Sequence, residues 1–560
     1  MKIIECVPNV SEGRDRAVLD QLAAAIRGVE GVELLDIDPG QETHRTVFTF
    51  VGPPDAVAEA AFQLARAAAR LIDMTKHHGA HARMGALDVC PFVPVGGGAS
   101  MDDCVELARR VGERIGRELE IPVYLYEHAA TRPERRSLAA VRAGEYEGLP
   151  DKLADPEWKP DFGPARFNAR SGAAAVGARP FLIAYNVDLN TKDRRLAHDI
   201  ALDIREQGRF LRDGQGRIVR GENGEKLRRP GRFQAVRAVG WFIPEFGRAQ
   251  VSINLTNFEI TPPHVVFDAI REEARRRGLR VTGSEIVGLV PLAAVRQAGR
   301  HYLVEQHRTP AVPEPDLVQS ARVSLGLDDV KPFEPDRAII DYRLAPREEG
   351  LRALSLVGFA DELSRDTPAP GGGSVAALAG ALAGGLVSMV AALTHGAAKD
   401  DAARRERAVE LGERAQELKD ALLRAVDEDT RAFEAIVAAR RMKKKTDEQR
   451  RAREAAILDA TRGAIEIPLG VAQRAAEIAE LAGEVVGIGL EAAASDCGVA
   501  AWSARAAAHA AVLNVRINLP GIPDADERAA FLARAEDAVS RTERAALATL
   551  ERVEAILRGD

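Results

Sequence analysis

The sequence predicts two architectures on one chain, an α/β (α+β) N-terminal part and an all-α C-terminal part. Before Gly350, β-branched runs broken by Gly and Pro alternate with helical stretches. Beyond it, Ala- and Leu-rich helical periodicity continues almost to the end. Because 560 residues exceed what a single hydrophobic core usually supports, we expect a multidomain protein.

The first stretch alternates strand-like runs with helical ones, and we take residues 1–180 as the first domain. The hydrophobic spacing predicts strands at Ile3–Val7, Val32–Asp38, Thr46–Val51 and Pro122–Tyr126, and helices at Arg16–Arg27, Pro54–Leu71 and Asp102–Glu118. This is an α/β pattern.

A second α/β set occupies residues 181–309. It predicts a strand at Phe181–Val187, a helix at Asp193–Gln207, strands at Ala235–Phe242 and Ala249–Leu255, and a helix at Pro262–Arg277. This order is typical of a split βαβ unit. The Gly- and Arg-rich stretch Arg209–Arg232 inside it predicts an exposed hairpin or mobile loop rather than a binding patch.

Residues 310–350 are predicted to be a linker with some ordered structure, and Glu-Pro-Asp occurs twice in it, beginning at Glu314 and at Glu334. An all-α domain is predicted to follow at 351–560.

Val375–Leu393 carries no charge and approaches the length of a membrane span. Seven of its residues are Ala and three are Gly, whereas membrane spans carry more Leu, Ile and Phe. We therefore predict a buried helix against which neighbours pack closely, and no membrane span.

Composition excludes several classes of function. A net charge of −7 with 5% aromatic residues gives no general attraction to nucleic acid or to anionic membranes. The four cysteines are scattered without CxxC pairing, which argues against a zinc ribbon or a disulfide framework. A strand-like run beginning at Ile3 leaves no room for a signal peptide. We expect a cytoplasmic protein.

The first chemically capable cluster is the run Thr75–Phe92, which carries His77, His78 and His81. Three imidazoles within five residues suit proton transfer or metal binding, since histidine titrates near neutral pH. Metal is the weaker interpretation, because Gly79 separates the histidines and no carboxylate has the spacing of a zinc protease. A polar loop with ordinary surface histidines explains these residues alone as well as a functional site does.

A second polar segment follows the strand-like run Val32–Leu35. It adds Asp36 and Asp38 as carboxylates and His44 and Arg45 as cationic or titratable groups. Loops at strand ends are where α/β proteins place ligands. This segment is therefore a candidate part of the same site.

The helical part has its own candidate, Asp429. An apolar stripe runs from Leu411 to Ile436, and Asp429 fills the gap in it, so its carboxylate faces the core. Burial would raise its pKa and suit acid/base work. A buried aspartate bonded to a helix N-terminus or to an arginine explains the pattern equally well. Asp427, about 200° around the helix, is predicted to face solvent.

Longer motifs carry a specific resemblance. Glu5–Gly13, Thr75–Phe92 and Pro160–Gly172 resemble the formiminotransferase half of the bifunctional formimidoyltransferase-cyclodeaminases. Ala369–Ser374 and Asn514–Leu519 resemble the cyclodeaminase half, which is related to methenyltetrahydrofolate cyclohydrolases. The motifs occur in the family's order over nearly the full length.

The resemblance implies a multifunctional enzyme, a transferase and a lyase, of histidine degradation and one-carbon metabolism. The first half would transfer the formimino group of N-formimino-L-glutamate to N5 of tetrahydrofolate. The second would cyclise the product to 5,10-methenyltetrahydrofolate and release ammonia. The alternative is a formiminotransferase fused to a cyclohydrolase-type domain, which acts with water.

The resemblance also implies site residues. His81 matches the family's catalytic base, Asp38 a residue that supports it, and Asp429 the cyclodeaminase aspartate. The folate-contacting stretch maps onto ten consecutive residues, which are more basic here than the family's pattern leads us to expect: Gly163, Pro164, Ala165, Arg166, Phe167, Asn168, Ala169, Arg170, Ser171 and Gly172.

The expected ligands are formiminoglutamate and tetrahydrofolate, the latter as a co-substrate that can carry a polyglutamate tail, with no metal and no nucleic acid. The family implies a homo-oligomer built from dimers. A basic run, Arg440–Lys445, and a second one after it, Arg450–Arg453, are either solvated faces or a contact for a polyanionic folate tail. Three polar residues could join the second site or simply bond between helices: His509, Asn514 and Asn518.

Overall fold

The computed structural model describes residues 2–41, 43–79, 81–344 and 350–559. The chain forms two compact units. The first unit comprises Met1–Ala294 with Leu325–Arg343, and the second, the helical unit, comprises Val295–Ser324 with Leu344–Asp560. Residues 345–349, near the end of the predicted linker, lie outside the described part, and so does Ala80 in the histidine cluster.

The strands of the first unit are β1 (Ile3–Cys6), β2 (Asn9–Val10), β3 (Glu33–Gly40), β4 (Arg45–Gly52), β5 (Leu87–Gly96), β6 (Val123–Glu127), β7 (Ala174–Ala178), β8 (Ile183–Leu189), β9 (Arg209–Phe210), β10 (Arg228–Arg229), β11 (Val236–Ile243), β12 (Arg248–Leu255) and β13 (Val281–Val287). The helices up to this point are α1 (Arg16–Arg27), α2 (Pro54–Leu71), α3 (Met101–Glu118), α4 (Leu138–Val141), α5 (Leu149–Ala154), α6 (Arg194–Ile204) and α7 (Pro263–Arg276).

The first sheet has seven strands, with β1 and β2 end to end at its centre. Both pair antiparallel with β4 on one side and β5 on the other. β3 lies outside β4, and β7 and β6 extend the sheet beyond β5 in parallel. The helices α1, α2 and α3 cover one face, onto which Cys6, Phe48 and Phe92 point. Side chains along a strand alternate between the two faces of the sheet. The residues next to these three, such as Glu5 and Val47, therefore face the other side.

The second sheet has four antiparallel strands in the order β11-β12-β8-β13. Chain order and sheet order together make β8-α6-β11-β12-α7-β13 a split βαβ unit. The first sheet contains the same arrangement in β1-α1-β3-β4-α2-β5. The predicted α/β fold class of this half is therefore confirmed. The Arg209–Arg232 stretch forms a hairpin through β9 and β10.

The remaining helices are α8 (Leu292–Glu305), α9 (Glu314–Ser324), α10 (Pro335–Ala338), α11 (Ile340–Leu344), α12 (Leu356–Leu363), α13 (Gly372–Ala397), α14 (Ala402–Arg441), α15 (Asp447–Ile488), α16 (Ala494–Asn518) and α17 (Ala525–Arg558). The long helices α13 to α17 enclose one apolar core, so the all-α prediction for this half is also confirmed.

Helix α13 contains the uncharged segment. Among the helices in the described ranges it alone is long and apolar enough to cross a membrane, and 56% of its most apolar window is buried. Its small residues allow close packing: a Cβ on Gly384 would lie 3.2 Å from the carbonyl oxygen of Ala415 on α14. The opposite side of the helix exposes Leu382 and Leu393. Helix α13 is thus a packed helix with one exposed side.

Candidate active sites

A cleft of about 710 Å³ in the first unit lies between the open faces of the two sheets. Alternate residues of the central strands line it, as the two-residue period of a strand requires. Its walls carry many polar and charged groups, among them Glu5, Asn9, Asp36, Asp38, Arg45, His81, Tyr126, Glu127, His128, Arg142, Arg179, Arg237 and Asn254.

His81 faces this cleft from the loop before β5. Its Nδ1 lies 2.7 Å from the carbonyl oxygen of Ala82. A ring nitrogen that faces a carbonyl oxygen carries the proton, so the Nε2 lone pair is left for a ligand. Partial burial, followed by the positive charge of Arg45, lowers the pKa of His81. The lowered pKa favours the neutral imidazole, which is the form that can accept a proton.

Two arginines beside His81 are held by a single buried carboxylate. Asp88 is fully buried, and its Oδ2 pairs with Arg45 and, at 2.5 Å, with Arg142. Its Oδ1 accepts a hydrogen bond of 2.8 Å from the backbone N–H of Met84. Arg45 also donates to Asn9 Oδ1 at 2.9 Å. Both guanidinium groups are thus fixed with a face toward the cleft, where they can bind an anionic ligand.

Sequence reasoning did not single out Asp88. The available signal is a carboxylate inside the apolar run from Leu87 to Phe92, since such a residue is rarely buried unless it is paired. Its partners could not be read from the sequence, because Arg45 and Arg142 lie far from it along the chain.

His77 has a structural role. Its ring is buried, stacks on that of His44 at 4.4 Å, and its Nε2 lies 2.8 Å from the His44 carbonyl oxygen. Arg83 packs beside it and forms two hydrogen bonds of 2.7 and 2.8 Å to Glu147. These contacts hold the loop that presents His81. His78 is exposed on the same loop.

Asp38 lines the same cleft, but no hydrogen bond joins it to His81 among the described residues. Burial raises its pKa, and its charged neighbours are Lys331 and Glu285. The carboxylate whose charge acts on His81 is Asp88. The supporting role of Asp38 stays a prediction.

The segment 163–172 does not contribute to the lining of this cleft. Its basic side chains bind other parts of the first unit: Arg166 pairs with Glu120 at 2.8 Å, and Arg170 donates to the Arg70 carbonyl oxygen at the end of α2 at 2.7 Å. The backbone carbonyl of Arg170 accepts from Met74 at 2.9 Å. The segment therefore braces the histidine loop, and folate contact by its ten residues stays a prediction.

In the helical unit, Asp429 lies against the first turn of α13. Ser374 Oγ is 3.3 Å from Asp429 Oδ2 and 2.9 Å from the carbonyl oxygen of Val426. The hydroxyl has one proton and can donate it to either oxygen, and when it donates to Val426, a protonated Asp429 can donate to Ser374 Oγ in return. Burial raises the pKa of Asp429, and hydrogen bonds from the Ser374 side chain and backbone oppose this.

Gly373 makes this approach possible. A Cβ at that position would lie 2.0 Å from Asp429 Oδ1, a distance that no real atom could occupy. The sequence offered two interpretations of Asp429, an acid/base group with a raised pKa and an aspartate bonded to a helix N-terminus. The structure fits both, because the pKa of Asp429 is raised and the residue lies at the N-terminus of α13. Asn514 lies close by, since its Nδ2 would be 3.7 Å from a Cβ on Gly372.

The prediction that Asp427 faces solvent is wrong. The residue is buried, its Oδ1 accepts a hydrogen bond of 2.6 Å from the backbone N–H of Leu351, and its Oδ2 lies 3.2 Å from Nε of Arg352. The segment that precedes α12 covers this side of α14, a long-range contact that helical periodicity does not reveal.

We expect Asp427→Ala to lower the free energy of unfolding of the helical unit by about 1–3 kcal/mol, because the Leu351 N–H loses its hydrogen-bond acceptor and the Arg352 guanidinium loses its contact with this carboxylate. Chemical denaturation followed by circular dichroism measures this. Glu428→Ala, an exposed neighbour on α14, is the matched control and should change stability little. An Asp427 variant as stable as the control would contradict this role.

The other polar candidates of the helical unit have ordinary partners. His509 pairs with Glu543 at 2.5 Å, and Asn518 donates to the Ala464 carbonyl oxygen at 3.2 Å. The basic run 440–445 is exposed between α14 and α15. None of these observations places them beside Asp429.

Comparison with known proteins agrees with this layout. Residues 3–179 match the N-terminal subdomain of the formiminotransferase domain, residues 184–345 the formiminotransferase domain, and residues 355–537 formiminotransferase-cyclodeaminase. The chain is 42% identical to the formimidoyltransferase-cyclodeaminase of Mus musculus over 93% of both chains. It is 44% identical to a glutamate formimidoyltransferase of Streptococcus pyogenes, over 54% of this chain and 93% of that protein. It is also 38% identical to a methenyltetrahydrofolate cyclohydrolase of Methylorubrum extorquens, over 30% of this chain and 83% of that protein.

The α/β unit with its histidine-bearing cleft and the helical unit with its partly buried Asp429 thus define a fused pair of folate-enzyme domains. The chain belongs to the formimidoyltransferase-cyclodeaminase family.

Proposed function

We propose that the chain is a bifunctional folate-dependent enzyme. It transfers the formimino group of N-formimino-L-glutamate to N5 of tetrahydrofolate and then cyclises 5-formimino-tetrahydrofolate to 5,10-methenyltetrahydrofolate with release of ammonia. The observation that carries the proposal is the pairing of two sites on one chain: His81 in an arginine-lined cleft, and the partly buried Asp429 of α14 against the first turn of α13.

In the transfer step, N5 of tetrahydrofolate attacks the amidine carbon of formiminoglutamate. A bond forms between N5 and this carbon, N5 gives up its proton, and the bond from the carbon to the glutamate nitrogen breaks once that nitrogen is protonated. His81 can accept the first proton through Nε2 and return it to the leaving amine, as general acid/base catalysis requires. One imidazole therefore supplies both proton transfers.

Recognition of the donor substrate fits the same cleft. Formiminoglutamate carries two carboxylates, and Arg45 and Arg142 offer guanidinium groups that Asp88 already orients. Groups held before the ligand arrives lose little freedom when it binds. We assign these two arginines to a substrate carboxylate.

In the second step, N10 attacks the formimino carbon and gives up its proton. The imino nitrogen takes up two protons in all, one of them replacing the proton lost from N10, and leaves as ammonia. We assign the proton transfers of this step to Asp429, and two features support this: burial raises its pKa, and Ser374 Oγ can bond to it in either protonation state. A carboxyl of this kind can act as both base and acid.

The proposal is tested by incubating the protein with formiminoglutamate and tetrahydrofolate while methenyltetrahydrofolate absorbance and ammonia are followed together. Equal amounts of both products support it. Methenyltetrahydrofolate without ammonia, or neither product from folded protein, contradicts it.

A second candidate function has one observation in its favour, the similarity of part of the chain to the cyclohydrolase of Methylorubrum extorquens. In that case the helical unit would hydrolyse 5,10-methenyltetrahydrofolate with water. Methenyltetrahydrofolate supplied without formiminoglutamate distinguishes the two functions, because only the cyclohydrolase consumes it to give the 10-formyl compound.

The lowered pKa of His81 predicts the pH dependence of transfer. The neutral imidazole is the active form, so kcat/KM should fall only as pH drops below the usual histidine value of 6.5. In Arg45→Gln, loss of the positive charge raises the pKa of His81 and shifts the acidic limb to higher pH. Initial rates of the wild type and of Arg45→Gln between about pH 5 and 8 locate the acidic limb of each protein. An Arg45→Gln limb at the wild-type position would contradict the assignment of His81 as the titrating base.

We propose that the enzyme acts in the cytoplasm in histidine degradation, as a homo-oligomer built from dimers. A polyglutamylated tetrahydrofolate is its proposed co-substrate, with the exposed basic run 440–445 as a contact for the tail.

A further inference from the structure

Glu5 is an ionisable group at the centre of the first sheet that the proton transfers described above do not use. Its side chain is 1% exposed, and its carboxyl group forms no hydrogen bond or ion pair with any residue in the described ranges. Burial raises its pKa to about 7, with Arg179 acting in the opposite direction. A buried carboxyl without a partner destabilises a fold, so this position is unfavourable for the protein alone.

The residues around Glu5 leave its carboxyl group open only toward the cleft. It lies opposite Val51 of β4 and Val93 of β5, and both valines are buried on the same face of the sheet. Farther along the same face, Val7 and Asn9 line the cleft, as Glu5 itself does. The carboxyl group is thus walled by apolar side chains and faces the cleft.

A second buried polar group lines the same cleft. Tyr126 of β6 is 1% exposed and lines the cleft, and its hydroxyl has no hydrogen-bond partner within the described residues. Burial raises the pKa of Tyr126 as it does that of Glu5, and the positive charge of Arg179 opposes the shift at both, so both groups lie within electrostatic range of one guanidinium. The cleft therefore has an acceptor and a donor that a ligand can satisfy.

A carboxylate in such a position matches a planar N–C–N group that presents two parallel N–H bonds, since both oxygens then accept hydrogen bonds at once. Given the proposed function, both substrates carry such a group. In formiminoglutamate it is the amidine of the formimino group, and in tetrahydrofolate it is the N3–H and 2-amino edge of the pterin ring. We propose that Glu5 binds this N–C–N group of one substrate of the transfer reaction, with the Tyr126 hydroxyl beside it.

The test is direct binding of tetrahydrofolate alone and of formiminoglutamate alone to the full chain, by calorimetry, without turnover. Glu5→Gln keeps the shape but replaces one acceptor oxygen with an NH₂ group that opposes the ligand's N–H. We expect its Kd for one of the two ligands to rise by about 10- to 100-fold, and the ligand that is affected identifies the bound group. Glu5→Leu, which removes both acceptors, should weaken the same ligand at least as much.

The thermal unfolding temperature separates this role from a structural one. Because Glu5 is unpaired without ligand, neither variant should unfold at a lower temperature than the wild type. Glu33→Gln on β3, an exposed carboxylate outside the cleft, is the matched control and should bind both ligands normally. Unchanged Kd values for both ligands, weakened binding of both, or a lowered unfolding temperature would each overturn the proposal. If wild-type protein binds both ligands but forms no product, the proposed function fails while the role of Glu5 is still decided by the Kd values.

Discussion

His81→Ala is expected to lower the rate of formimino transfer by about 10²- to 10⁴-fold, the usual contribution of a general base. Cyclodeamination of supplied 5-formimino-tetrahydrofolate should continue at the wild-type rate, because Asp429 belongs to a separately packed unit. Two assays on one preparation measure this, one from formiminoglutamate and one from 5-formimino-tetrahydrofolate.

The matched control is His78→Ala, because this exposed histidine lies on the same loop. It should retain both activities. Loss of both activities in folded His81→Ala protein, or retention of both, would remove His81 from the transfer reaction.

Asp429→Asn should abolish cyclodeamination while transfer continues, so that 5-formimino-tetrahydrofolate accumulates. The amide keeps the volume beside Gly373 and can still bond to Ser374, but it cannot exchange a proton at neutral pH. We expect a decrease of about 10²- to 10⁴-fold in the second step and little change in stability.

A coupled time course, with circular dichroism as the folding control, measures the accumulation. Glu428→Gln, the exposed neighbour on α14, should behave as wild type. Methenyltetrahydrofolate formed at the wild-type rate by Asp429→Asn would make this aspartate a structural residue and direct the search to other polar groups of the helical unit.

Local periodicity predicted most elements of the fold. The helices Arg16–Arg27 and Pro54–Leu71 begin and end where the sequence predicts. Strand β5 was missed because Pro91 and Pro94 interrupt its strand-like run, although its pairing with β1 and β7 shows that the sheet accommodates both. Strand β7, with three alanines and a glycine among its five residues, has almost no strand signal, and only its place between β5 and β6 defines it.

The residues of the candidate sites also fall into two groups, those that local sequence patterns reveal and those that depend on long-range contacts. His81 and Asp429 could be named from motifs and from a stripe on one helix. The pairing of Asp88 with two arginines, the unpaired state of Glu5 and the burial of Asp427 depend on segments that meet only in the folded chain. Sequence spacing carries no information about such partners.

The division of the chain between the two units limits how the protein can be dissected. A cut after Arg343 leaves the first unit complete, but it takes Val295–Ser324 away from the helical unit. In that unit Ala311 occupies the space above Gly412, and Arg300 pairs with Glu413 at 2.7 Å. A cut before Val295 removes Leu325–Arg343 from the first unit, where Ser284 bonds to the Leu325 and Gly326 carbonyl oxygens. No single break in the polypeptide therefore yields both units intact, and co-expressed halves would need overlapping ends.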